Sequence, residues 1–179
     1  MSESKPSGHE RRDADGRNRN SRPDAPRSIV FDPIERLRLI AAGIPGAAIV
    51  ERVLDAPFDS VWATATDFEG ALSGFEVSVG RARIVKRDGE TVTLESRLPL
   101  VRLRQRVEVH VREGWCLMQG RGFVAGMAAR PEGERTRFAH LEAARMPGAA
   151  LTRPLMKAKM VMTGELKRIE RLARDRTAR

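Results

Sequence analysis

Apolar and polar residues alternate most cleanly between 91 and 112. Val92, Leu94, Ser96 and Leu98 stand against Thr91, Thr93, Glu95 and Arg97; after Pro99, Leu103, Gln105, Val107, Val109 and Val111 stand against Arg104, Arg106, Glu108, His110 and Arg112. A period of two places each set on its own face of a strand, so both stretches predict strands with one buried face and one charged face. Further strands are expected at 48–54, where Ile49 and Val53 supply β-branched bulk, at 76–86, from Trp115 to about Ala128, and at 135–145. Asp88-Gly89, Glu113-Gly114 and Pro131-Glu132-Gly133-Glu134 supply the reversals between them.

Elsewhere the period lengthens. Ile34, Leu37, Ile40 and Ala41 predict a short helix that Pro45-Gly46 ends. Phe58, Val61, Trp62 and Ala65 predict a helix over 58–67, opened by Pro57 and capped by Asp55 or Asp59, with Gly70 to Gly74 breaking it. After Met146-Pro147-Gly148, the positions Leu151, Leu155, Met162, Leu166, Ile169 and Ala173 predict a C-terminal helix of nearly thirty residues whose remaining faces carry Lys and Arg. Residues 1–27 are rich in Ser, Pro, Gly, Asn and Asp, hold almost no apolar side chain, and read as a disordered tail.

Composition narrows the function classes. With 179 residues, 41% hydrophobic, the chain suits one globular domain, divided into a 1–27 tail, a 28–47 helical lead-in and a 48–179 domain. The formal charge is +9, but its distribution is uneven: residues 149–179 hold 9 Lys/Arg against 3 Asp/Glu, whereas residues 1–30 hold 7 against 5. A basic final helix suits an anionic membrane surface or an acidic partner, and part of its charge complements the helix dipole. Nucleic acid is a poor fit, because aromatics make up 4% and no tyrosine is present to stack bases. The longest apolar run, Ile40 to Val50, is interrupted by Pro45 and is too short to span a bilayer as a helix. Cys116 is the lone cysteine, so a reduced, cytoplasmic setting is expected, peripheral at a membrane where the basic helix docks.

The phrase Ala56-Pro57-Phe58-Asp59-Ser60-Val61-Trp62, the Arg87-Asp88-Gly89 hairpin, the Arg135-Thr136-Arg137 entry to the last strand and the Leu166-Lys167-Arg168-Ile169 helix end follow one another in a strand, helix, strands, long-helix order. Over about 48–175 this order resembles the superfamily of START-related, polyketide-cyclase-like and birch-pollen-allergen-like proteins (SRPBCC). The resemblance implies an α+β helix-grip fold, in which a curved antiparallel sheet wraps a long C-terminal helix around a cavity for an apolar molecule such as a lipid, polyketide or quinone. A single sheet bent round one helix fills its interior less densely than a sandwich does, which suits an apolar guest.

Candidate residues follow from strand phase. Ser96, Gln105, Val107 and Val109 share the apolar phase of their strands and are expected to face inward with Trp62, Leu155 and Met162 from the helices. On the strand from Trp115, the set Trp115, Leu117, Gln119, Arg121 and Phe123 is preferred inward over Cys116, Met118, Gly120, Gly122 and Val124. On the last strand Phe138, His140 and Glu142 share a face, so Arg121, His140 and Glu142 form the candidate acid-base cluster, with Glu142 balancing Arg121 and His140 titrating near neutrality. Three readings stay open: a carrier of a hydrophobic small molecule, a polyketide cyclase or dehydratase using those residues, and a surface-binding protein working through its basic helix. No cofactor motif is present: Gly120, Gly122 and Gly126 lack the Lys-Ser/Thr of a phosphate loop, and three histidines with one cysteine match no metal-ligand spacing.

Overall fold

The alternating segments between 82 and 144 pair in sequence order, each strand antiparallel to the next, and in three of the connections a glycine at positive φ returns the chain at once, with Gly89, Gly114 and Gly133 at φ of 56°, 69° and 62°. The computed structural model describes residues 31–76, 81–97, 104–144 and 155–178, all within one unit spanning Phe31–Arg179. The expected 1–27 tail lies outside the described residues.

Strand β1 (Ala48–Leu54) precedes helices α2 (Phe58–Ala65) and α3 (Leu72–Phe75), and helix α1 (Pro33–Ala42) comes before it. Strands β2 (Ala82–Asp88), β3 (Thr91–Arg97), β4 (Arg104–Arg112), β5 (Trp115–Gln119), β6 (Phe123–Glu132) and β7 (Arg135–Ala144) follow, and helix α4 (Leu155–Thr177) closes the chain. The order across the sheet is β1-β7-β6-β5-β4-β3-β2. Six strands thus form a simple meander and β1 returns to pair with β7, Val50 opposite His140. The architecture is the expected α+β helix-grip fold: an open, curved, seven-stranded antiparallel sheet with a long C-terminal helix.

Two elements differ from the expectation. The stretch from Trp115 to Ala128 is two strands, because the chain reverses at Gly120–Gly122, with the Gly120 amide bonded to the Phe123 carbonyl at 3.1 Å. Residue 76 does not open β2; it caps α3, its amide donating to the Leu72 carbonyl at 2.8 Å.

Both faces of the sheet's centre are covered. On the concave face, α4 buries Met162, Leu166, Ile169 and Ala173, whose spacing of four, three and four residues forms one stripe. Leu166, Ile169 and Ala173 of that stripe, together with α2, pack with Val92, Leu94, Val107, Val109, Cys116, Met118, Met127 and Phe138. On the convex face α1 buries Ile34 and Leu37 against Trp115, Ala128, Ala139 and Leu141. Asp32 holds the start of α1, accepting from the amides of Ile34 and Glu35 at 2.9 and 3.3 Å. Gly126 permits the approach, since a Cβ there would lie 2.6 Å from Leu37 Cδ1. The end of α4 is tied to the α2 region by Arg174 to Asp55 and by Arg176 to Asp67, the latter at 2.9 Å. The proline at 57, rather than Asp55 or Asp59, occupies the N-cap position of α2.

Candidate functional site

Alternation along β7 sends Ala139 and Leu141 to the convex core and leaves Phe138, His140 and Glu142 on the concave side. Helix α4 crosses that side. Its buried stripe is apolar except for Glu165, three residues after Met162 and four before Ile169, which is wholly buried. Glu76, at the end of α3, reaches the same place and is 1% exposed. Three elements distant in sequence thereby converge on one imidazole.

His140 is fully buried, with Nε2 3.5 Å from Glu76 Oε2 and Nδ1 3.4 Å from Glu165 Oε2. Neither ring nitrogen completes a hydrogen bond. With Glu142, each of the four residues offers a ligand atom within 4.8 Å of the others. The three carboxylates also have interactions beyond these contacts. Burial holds the His140 pKa below the usual imidazole value, and the coulombic pull of Glu76 opposes that shift only in part.

The register of the ladder extends the site across the sheet. Glu142 lies in a row with Ala125, Met118, Val109 and Val92. One row further stand Phe123, Val107 and Leu94, and beyond them Gln105 faces Ser96. The Ser96 hydroxyl and Gln105 Nε2 are buried without a hydrogen-bond partner. An apolar wall is thus bordered by polar groups on two sides, His140 and its glutamates at one and the Ser96–Gln105 pair at the other. Buried polar atoms nearly always find partners, so these groups are the unusual feature of the concave face.

The candidate residues sort accordingly. Ser96, Gln105, Val107, Val109, Phe123, Phe138, His140 and Met162 lie on the concave side, and Trp62 packs half-buried against the same core. The side chain of Leu155 lies outside the described residues. Four inward assignments are corrected. Trp115 and Leu117 join the convex core beside α1, where the Arg36 guanidinium lies 3.8 Å from the Trp115 ring centroid. Gln119 is exposed, and Arg121 is exposed in the turn between β5 and β6, so it does not join His140. The reason is local: 115–118 is apolar at every position because both faces are covered, and the reversal at Gly120–Gly122 resets the phase, so Cys116, Met118 and Phe123 share the inward face.

Glu76 and Glu165 were not singled out from the sequence. Glu165 left a signal, a carboxylate on the apolar stripe of a helix, whereas Glu76 left none. Cys116 is no nucleophile, since burial pushes its thiol up to about 12. On the outer surface of α4, Lys159, Lys167, Arg168 and Arg171 are exposed together with Met160 and Val161. No described helix is long and apolar enough to cross a membrane.

No protein-family model matches this chain, and no curated protein matches it. Solved structures do. Protein TTHA0849 from Thermus thermophilus is 20% identical with a TM-score of 0.55, over 71% of this chain and 96% of that one. The Zhui aromatase/cyclase from Streptomyces sp. R1128 is 12% identical with a TM-score of 0.53, over 73% of this chain and 94% of its own. Ara h 8.0201 is 12% identical with a TM-score of 0.51, over 72% and 97%. At such identities the likeness shows the fold alone, a curved antiparallel sheet with a long C-terminal helix.

Proposed function

We propose that the protein holds a hydrophobic small molecule against the concave face of its sheet, beneath α4, with polar atoms of that molecule meeting His140 and its glutamates at one side and Ser96–Gln105 at the other. The observation that carries this reading is the set of buried, unpartnered polar atoms of Ser96, Gln105 and His140 around an apolar wall. The apolar row of Phe123, Val107 and Leu94 between them supports a ligand with an apolar body and polar ends rather than a plain hydrocarbon. The shared fold with an aromatase/cyclase agrees with such a guest by analogy of architecture.

The experiment is native mass spectrometry of the full chain purified from its own host, followed by denaturation and identification of any released molecule. A stoichiometric compound with an apolar skeleton and two or more separated polar groups is expected, with its retention weakened by Gln105→Leu. A protein that emerges empty, and stays empty across a panel of lipids and polyketides, overturns the reading.

A second reading is favoured by the placement of His140 between Glu76 and Glu165: acid-base chemistry on the bound molecule, of the cyclase or dehydratase type. His140 and Glu142 remain its candidates, joined by Glu76 and Glu165 in place of Arg121. Incubation of the identified ligand with the protein, with His140→Gln as comparison, tests it. Conversion that is equal in both proteins sinks this second reading and leaves the first standing.

A further inference from the structure

We propose that Glu76, His140, Glu142 and Glu165 form a site for one divalent transition-metal ion, of the Mn2+, Fe2+ or Zn2+ class. The inference shares His140 with the small-molecule reading, but its donors are the protein's own side chains, present whether or not an organic guest is bound.

The first argument is donor chemistry. One imidazole with carboxylates suits ions that accept both nitrogen and oxygen, whereas a purely carboxylate set would suit Mg2+ or Ca2+. The second is spacing. With metal–ligand bonds of about 2.1 Å, neighbouring donors in a tetrahedral shell stand roughly 3.4 Å apart. One of the two observed separations, 3.5 Å from His140 Nε2 to Glu76 or 3.4 Å from Nδ1 to Glu165, supplies the imidazole–carboxylate donor pair of such a shell, and the other is the contact behind the ring.

The third argument is the state of His140 itself. The ring is fully buried, aimed at a carboxylate on each side, and completes a hydrogen bond with neither. One ion cannot use both nitrogens of one ring. One nitrogen therefore takes the ion with its neighbouring glutamate and Glu142, while the opposite N–H donates to the remaining glutamate. A carboxylate behind the imidazole is the arrangement that orients metal-bound histidines.

The test uses the full chain, freed of any affinity tag and stripped with a chelator. It is titrated with Co2+, followed by visible absorption, and with Mn2+, followed by electron paramagnetic resonance. One saturable ion per chain is expected, weakened more than about tenfold by His140→Gln and by Glu142→Gln. Changing the exposed Glu108–His110 pair, whose atoms lie 2.9 Å apart, to Glu108→Gln and His110→Gln is expected to leave affinity unchanged. Absence of saturable one-to-one binding of either ion overturns the proposal, as does binding that survives both cluster variants. Should those variants fail to fold, X-ray absorption of the cobalt-loaded unaltered chain decides: an imidazole in the shell supports the site, and a shell without one overturns it.

Discussion

Replacing Leu37 with alanine separates the two faces of the sheet. Leu37 is fully buried between α1 and the convex side, touching neither α4 nor the concave wall. Large-to-small substitution of a buried leucine costs about 2–5 kcal/mol, least where the surroundings can collapse into the vacancy. The convex core is small, with six buried residues, and α1 is a ten-residue helix free to settle, so the expected cost is the lower end, about 2–3 kcal/mol. A domain of this size loses roughly 2–4 °C of Tm per kcal/mol, so Tm should fall by about 4–12 °C. Thermal unfolding followed by circular dichroism measures this. Fluorescence of an apolar dye bound beneath α4, read well below Tm, should keep its affinity within about a factor of three, an effect smaller than 1 kcal/mol. A Tm change under 2 °C, or dye affinity falling by more than an order of magnitude, would refute the separation of the two cores.

Three further outcomes are expected. Gly126→Ala should destabilise by about 1–3 kcal/mol, since the new Cβ meets Leu37 Cδ1 at 2.6 Å; combined with Leu37→Ala the loss should be less than the sum, and a strictly additive double-mutant cycle would contradict the contact. Cys116, buried with its thiol pushed up to about 12, should resist iodoacetamide at neutral pH in the native protein and react fully once denaturant is added, as mass spectrometry would record. The Arg38 guanidinium, 2.6 Å away, holds the Glu51 carboxyl below its ordinary value, so the pair's stabilisation is complete above pH about 4.5 and is lost as pH falls through the lowered folded value. Because the pair lies at the surface its contribution is small, and Glu51→Gln should flatten that part of the pH–stability curve; an unchanged slope would remove the pair from the account.

The legibility of the chain varies with how many faces of each element are covered. Strands β3 and β4 were readable to their phase because one face is charged and one apolar, and Ser96, Gln105, Val107 and Val109 fell inward as expected. Strand β5 was not, because α1 covers one face and the concave core the other, so 115–118 is apolar throughout and alternation carries no information. The candidate cluster was half legible. His140 and Glu142 share a strand face by simple parity, while Glu76 and Glu165 reach them from α3 and α4, 64 residues before His140 and 25 after it.

The hairpins at Asp88-Gly89, Glu113-Gly114 and Glu132-Gly133 and the apolar stripe of the final helix were determined by the sequence alone, since each depends on local period and turn chemistry; the helix-grip architecture was implied there by resemblance, and the reversal between β5 and β6 was not legible. Which way Trp115 and Leu117 point, and which carboxylates surround His140, was decided only when the sheet curved and the helices closed over it. Local patterns record whether a position is buried; they do not record what it is buried against, because that depends on contacts between segments whose separation along the chain leaves no periodic trace.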